Sequence, residues 1–371
     1  VSVPKDVIPY PTDVATDDKN GRNVRAVSGL VVRTRGGWLS LRIQGRAVAV
    51  SAALLFTFTL VVGITLTTGD FELSVAEVLQ ALTGNGSGGA DFIVNTVRLP
   101  RLLTALFVGA ALAVSGAILQ SLSGNSLGSP DIIGFTNGSA TGALLVIIVL
   151  HGSMTQIALG ALAGGLATAV VVYLLVFTRG LQGFRLVVVG IGVSAMLLAL
   201  NSYLITRASL QEALEAQTWL IGSLNNRGWD QATGAGIAVA ILLPLAFRYA
   251  RRLSMLEMGG DTAQALGVDV ERSRLVLLVV SVALAAFATA ATGPIWFVAL
   301  AAPQLARRLI RSSGPGLVPA ALMGAVLLAA SDLAVQRIFS PAILPVGTAT
   351  GTIGGLYLIW LLVTESRKSR A

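Results

Sequence analysis

RLPRLLTALFVGAALAVSGAILQSLSGNSLGSPDIIGF, residues 98–135, is the stretch on which the fold turns. Arg98 and Arg101 bracket a proline, and no charged residue follows until Asp131. A helix needs about 20 apolar residues to cross a hydrocarbon core ~30 Å thick. The stretch therefore reads as a membrane span with two cations at its lip and Pro100 at the helix start. Gly109 and Ala113 lie one turn apart, a spacing that lets helix backbones approach closely.

Working outward, the same pattern recurs along the chain. Of 371 residues, 54% are hydrophobic and only 12% charged, against about a quarter charged in a soluble domain. Uncharged runs occur near 47–67, 102–122, 132–150, 154–178, 186–206, 231–247, 275–306, 317–331 and 338–364. The strict alternation of a membrane β-barrel strand is absent. The expected fold class is an all-α polytopic membrane protein. The run 275–306 is too long for one span, both its flanks are basic, and Gly293-Pro294 offers a break in the middle, so it reads as two short spans. The count becomes about ten. Gly160-x-x-x-Gly164 and Gly351-x-x-x-Gly355 add further small-residue stripes suited to a tight bundle.

Lys and Arg favour the cytoplasmic side of a membrane. The first 46 residues carry Lys5, Lys19, Arg22, Arg25, Arg33, Arg35, Arg42 and Arg46, and alternate gaps downstream are also basic. Only Arg98, Arg101, Arg207, Arg227 and Arg337, of 26 basic residues, fall on the other face. Both termini are thus expected inside. Residues 1–46 form a basic tail without helical period or secretion-signal pattern, expected to be mostly disordered. Residues 47–364 form the transmembrane domain, and 365–371 a short second cytoplasmic tail.

Several chemistries are excluded. With no cysteine there is no disulfide, iron–sulfur cluster or thiolate zinc site. The lone histidine, His151 in HGSMT, reads as a solvated loop residue, and no Ser–His–Asp set can be assembled around it. Lysine occurs only at 5, 19 and 368, none in a P-loop context. Asp332, in LAASDLAVQR, lies inside an otherwise apolar segment. A proton-coupled carrier needs more than one such station, so Asp332 reads as structural, bonded to a neighbouring helix or to Arg337. The chain holds no energy source of its own.

One gap exceeds a mere connection. In RRLSMLEMGGDTAQALGVDVERSR, residues 251–274, SMLEM reads as a short helical piece and Gly259-Gly260 as a break. Asp261 is placed to cap a second piece, DTAQALG, which Gly267 stops. The result is a compact cytoplasmic knob. Ala263, Ala265, Leu266 and Val268 would be its small apolar surface, ringed by Glu257, Asp261, Asp269, Glu271, Arg272 and Arg274, suited to docking a soluble partner.

Over roughly residues 47–364 the chain resembles the iron-siderophore and cobalamin class of ABC importer permeases. The resemblance rests on RLPRLLTALFVGAALAVSGAILQ (98–120) with NSLGSPDIIGF (125–135), on EMGGDTAQALGVDVERSR (257–274), and on GPIWFVALAAPQLARRL (293–309) with SDLAVQR (331–337) and LPVGTATGTIGG (344–355). WLIGSLNNRGWDQ (219–231) is similar to permeases for catecholate siderophores of the enterobactin type. The chain departs from the family pattern at Pro303-Gln304, where Pro-His is common, and at Asn125-Ser126-Leu127-Gly128, where Asn-Pro-Leu-Ala is common.

The resemblance implies ten spans and a multi-pass subunit in the cytoplasmic (inner) membrane of a bacterium. It implies no cofactor on this chain, with ATP and Mg used by separate ATP-binding subunits. Glu257, Gly260, Asp261, Ala265, Leu266, Gly267 and Val268 would couple to those subunits. Arg98, Arg101 and, more weakly, Arg337 would dock an extracytoplasmic siderophore-binding protein. A second permease chain completes the pathway, a heterodimer being favoured over a homodimer, with membrane lipid around it and no nucleic-acid partner. Rival readings are a permease for cobalamin or haem, an ATPase-independent secondary transporter, and a non-transporting membrane scaffold. The substrate pathway is not legible, because Asn137 and Asn201 could equally satisfy neighbouring helices.

Overall fold

In lipid a backbone must close its own hydrogen bonds, which a helix does within one segment, and the described parts of the apolar runs are mainly helical. The computed structural model describes residues 7–8, 30–33, 40–43, 45–69, 71–176, 183–311, 314–339 and 344–369. Helix α1 (Gly45–Thr67) leads to short α2 (Val75–Leu82) and α3 (Gly88–Asp91). From α3 a π-helical segment, Phe92–Arg98, runs unbroken into α4 (Leu99–Ser123), so that Gly88–Ser123 makes one 36-residue rod. Pro100 therefore does not start a helix. It follows the widened turn, in which the Leu99 N–H reaches back to the Val94 carbonyl.

Helix α5 (Phe135–Leu145) ends in a second π-helical turn, Val146–Leu150. There follow α6 (Met154–Val176), α7 (Gly183–Arg207), α8 (Leu210–Ile221), α9 (Trp229–Leu256), α10 (Gly260–Ala265), α11 (Val270–Thr292), α12 (Val298–Ile310), α13 (Leu317–Ile338) and α14 (Val346–Ser369). Among the described residues, seven segments are long and apolar enough to cross a membrane: α1, the rod ending in α4, α6, α7, α9, α11 and α13. The remaining apolar runs fall on Phe135–Leu150, α12 and α14. The chain is a multi-pass membrane protein. In the tail, expected to lack regular structure, β1 (Val7–Ile8), β2 (Leu30–Arg33) and β3 (Ser40–Ile43) pair antiparallel, with Val7 opposite Val32 and Leu30 opposite Ile43.

The rod ending in α4 is the axis of the bundle: 83% of its most apolar window is buried, against 11% for α1 and for α7. It packs on α9, α11, α12 and α13, and small side chains make this possible. A Cβ on Gly109 would strike the Gly324 carbonyl of α13, and one on Gly116 the Ala299 carbonyl of α12. Gly160 and Gly164 of α6 face Gly138 and Gly142 of α5 in the same way, stripe against stripe. Ser115 and Ser281 exchange hydroxyl-to-carbonyl hydrogen bonds of 2.8 and 3.0 Å between α4 and α11, supplying polar glue in an apolar medium. A Cβ on Gly351 or Gly355 of α14, by contrast, would meet no atom of another segment within 4 Å.

These contacts make a prediction. Gly116→Leu should destabilise the subunit by about 1–3 kcal/mol or more through overpacking, whereas Gly351→Leu should leave it unchanged. Thermal unfolding of the two purified variants in detergent, against wild type, provides the check.

The run 275–306 divides where glycine permits it. Helix α11 ends at Thr292, Gly293 turns with φ 76°, a conformation that side-chain-bearing residues seldom adopt, and α12 starts at Val298. The α8–α9 and α13–α14 connections crowd against this turn. The Ser223 N–H donates to the Thr292 carbonyl at 2.8 Å, and the Gly347 N–H to the Gly222 carbonyl at 3.1 Å.

Candidate functional site

Side-chain contacts sort the helix ends into two groups. At one end, Arg46 at the start of α1 donates to the Leu309 carbonyl of α12 at 2.7 Å, and Glu257, just past α9, meets Ser121 near the end of α4. This is the knob end. At the other, rim end, Arg101 at the start of α4 grips Asp332 near the end of α13.

The knob differs in detail from its sequence reading. Helix α9 continues unbroken to Leu256, so the first three residues of SMLEM, Ser254–Leu256, end that helix and form no separate piece. Gly259, with φ 105°, makes the break and is itself the N-cap of α10, without a side-chain cap. Asp261 sits in the first turn instead, where its charge still complements the helix dipole. The carboxylate that does cap a helix here is Asp269, accepting from the Arg272 N–H at 3.1 Å to start α11. Gly267 closes α10 with φ 83°, and the Val268 N–H returns to the Ala263 carbonyl at 3.0 Å.

Burial then divides the apolar residues expected on the knob surface. Ala263 and Val268 are buried and seat the knob on the bundle. Ala265, Leu266 and Gly267 are exposed, together with Met258, and form its tip. Beside the tip lies a hollow lined by Gly260, Asp261, Gln264, Asp269, Glu271 and Arg274.

Beneath the knob the ends of α4, α9 and α12 share polar contacts. The Ser121 hydroxyl donates to the Glu257 carboxylate at 2.6 Å. Partial burial holds that carboxyl above the ordinary carboxylate range, with the Ser121 hydrogen bond and the Arg307 charge pulling the other way. Arg307 donates to the Gln120 side-chain oxygen, and Gln120 Nε2 to the Leu300 carbonyl at 3.0 Å. Gln304, which departs from the family's usual histidine, donates to the Ser126 carbonyl and accepts from the Tyr357 hydroxyl at 3.3 Å.

At the rim, the two arginines of the opening motif are engaged within the subunit. Arg98 donates to the Leu66 carbonyl at 2.6 Å and to the Phe71 carbonyl, closing the end of α1 onto the π-helical turn. Arg101 binds Asp332 with both arms, at 2.8 and 2.7 Å, and Gln336 donates to the same carboxylate at 2.7 Å. The expected helix-to-helix role of Asp332 is thus served by Arg101 of α4, not by Arg337. Arg337, in the last turn of α13, is exposed. Arg227 donates to the Ser223 carbonyl at 3.2 Å, and burial lowers its pKa.

Several polar groups inside the bundle are satisfied by neighbours, although the buried hydroxyls of Ser139 and Ser273 find no partner. Asn137 donates to Ser194 at 2.6 Å, and Thr141 to Asn201 at 2.7 Å, tying α5 to α7. His151 is exposed yet lies 3.0 Å from Glu212, linking the α5–α6 turn to α8. Sequence reasoning passed over Asp131, which is buried, accepts from Thr136 at 2.8 Å and receives the backbone N–H of Phe297 at the start of α12. Its position at the edge of an apolar run, next to a proline, was the available signal. Among the described residues no cluster of three or more His, Cys, Asp or Glu could hold a metal ion.

Comparison with known proteins adds the following. The profile of the FecCD transport family matches residues 54–364. The chain is 47% identical over 324 residues to the ferric enterobactin transport system permease protein FepG of Escherichia coli (strain K12), covering 87% of this chain and 98% of that protein. It is 36% identical over 330 residues to the achromobactin transport system permease protein CbrC of Dickeya dadantii (strain 3937), covering 88% and 93%. A solved structure described as an inward-facing conformation of a metal-chelate type ABC transporter superposes with TM-score 0.77 at 29% identity, over 85% of this chain and 99% of that one.

Proposed function

The chain belongs to the FecCD transport family, and we propose that it is the membrane-embedded permease subunit of an ABC importer for a ferric siderophore of the catecholate class. The likeness to FepG, a ferric enterobactin permease, over almost that protein's whole length is the observation that carries this reading. Energy comes from separate ATP-binding subunits that use ATP and Mg and press on the exposed knob tip at Ala265 and Leu266. The subunit has ten spans with both termini cytoplasmic in a bacterial inner membrane, which puts the knob inside and the rim outside. The basic residues Arg46, Arg307, Arg308 and Arg311 at the knob end agree with that orientation.

Cargo passes between this chain and a second permease, most simply a related one. The open face of α14 at Gly351 and Gly355 offers backbone-close packing for it. Alternating access then follows from rocking of the packed helices around that interface. A siderophore-binding protein docks on the rim. Because Arg98 and Arg101 are held by groups of this subunit, they shape the rim, and Arg337 presents the exposed charge.

Exposed charge pairs steer encounter and are worth at most about 1 kcal/mol. Arg337→Glu should accordingly weaken binding-protein association severalfold at low ionic strength, with the difference vanishing as salt is raised. Surface-immobilised complex titrated with binding protein at several salt concentrations gives the measure. The importer reading itself is tested by co-purifying the complex and assaying ATP-dependent uptake of a panel of ferric chelates in vesicles. Ferric catecholates should be taken up and cobalamin and haem refused. Uptake by vesicles lacking the ATP-binding subunits would instead make this a secondary transporter.

A further inference from the structure

Glu257 lies one residue beyond α9 and three before α10, at the root of the knob. Asp261, Asp269 and Glu271 are exposed around the hollow of the knob. Glu257 is an exposed residue too, but its carboxylate reaches the bundle, where it accepts the Ser121 hydroxyl at 2.6 Å. Ser121 and its neighbour Gln120 are both buried at the end of α4. Gln120 faces α12, donating to the Leu300 carbonyl at 3.0 Å and accepting from Arg307. Two hydrogen-bonded steps thus lead from the root of the knob to two core helices. We propose that Glu257 is a positioning residue that ties displacement of the knob to α4 and α12, and is not a contact to the ATP-binding subunit.

A shift of α10 carries the adjoining end of α9 with it. A carboxylate held by a charge-assisted hydrogen bond, roughly twice as strong as a neutral one, transmits that shift to Ser121. The Gln120–Arg307 contact then makes α4 and α12 move together, since packed interiors rearrange between discrete states and do not deform gradually.

The inference rests on the importer reading above, and one experiment separates the two. The complete complex carrying Glu257→Gln, and separately Ser121→Ala, is reconstituted in vesicles. ATP hydrolysis, ferric-catecholate uptake and the amount of co-purifying ATP-binding subunit are then measured. Each variant should transport about tenfold less cargo per ATP hydrolysed, the ATP-binding subunit should co-purify as in wild type, and the double variant should be no worse than either single one. Loss of co-purification in Glu257→Gln would make Glu257 a docking contact and overturn the proposal, as would an unchanged transport-to-hydrolysis ratio in both single variants. A wild-type complex without ATP-dependent uptake would overturn the importer reading and the inference together.

Discussion

Asp332→Ala should cost the folded subunit about 3–5 kcal/mol, because it strands the Arg101 guanidinium between α4 and α13. Asp332 retains 5% and Arg101 20% of side-chain exposure, so water can hydrate the orphaned cation only from one side. The pair is bidentate, the geometry in which arginine and carboxylate match best. Gln336 occupies the same carboxylate and would lose its acceptor too. Folding free energies are typically only 5–15 kcal/mol, so the loss should show as a large drop in melting temperature and poor recovery from the membrane.

A second substitution tests the cause. Arg101→Met combined with Asp332→Leu removes both charges and leaves apolar side chains to pack, and it should recover most of the stability. The same pair of measurements addresses the docking role expected of Arg101. If Arg101→Glu leaves the melting temperature unchanged and affects only binding-protein association, the arginine serves the partner and Asp332 is incidental. The bidentate contact argues for the opposite outcome.

Leu266→Asp should abolish productive coupling. Leu266 is 57% exposed at the knob tip, so a charge there disturbs no internal packing. An apolar anchor at the centre of an interface commonly contributes 2 kcal/mol or more, and a desolvated carboxylate in its place adds its own penalty. Association with the ATP-binding subunit should therefore fall by more than about thirtyfold, and binding-protein-stimulated hydrolysis should disappear. The permease should still insert at wild-type level, which immunodetection in membranes would verify. Ala263→Asp is the contrasting variant: Ala263 is fully buried under the knob, so that change should unseat α10 and reduce the amount of folded chain. Normal hydrolysis in Leu266→Asp would remove the knob from the ATPase interface.

What was legible in the sequence depended on how local the governing force is. Transfer of apolar side chains to lipid depends on runs of sequence alone, so the helical class and the break at Gly293-Pro294 could be read along the chain. So could the knob, because glycine stops act on their own turns. The misreadings concerned groups whose partners are distant in sequence. The 231 residues that separate Arg101 from Asp332 hid the bond between them. Asp131 was passed over because its contact with the Phe297 backbone at the start of α12 is remote in sequence.

The small-residue stripes draw the same line within one motif type. Three stripes read alike, yet the one at Gly160 packs on α5, the one at Gly109 packs on α13, and the one at Gly351 has an open face. Sequence by itself determined that this chain lives in lipid as a helical bundle with a projecting knob. Only the tertiary structure decided which charges are spent inside the subunit, which knob residues reach its surface, and which helix face is left for a neighbour. Burial in a membrane follows from composition, whereas hydrogen-bond and packing partners follow from which helix ends and faces the fold brings together.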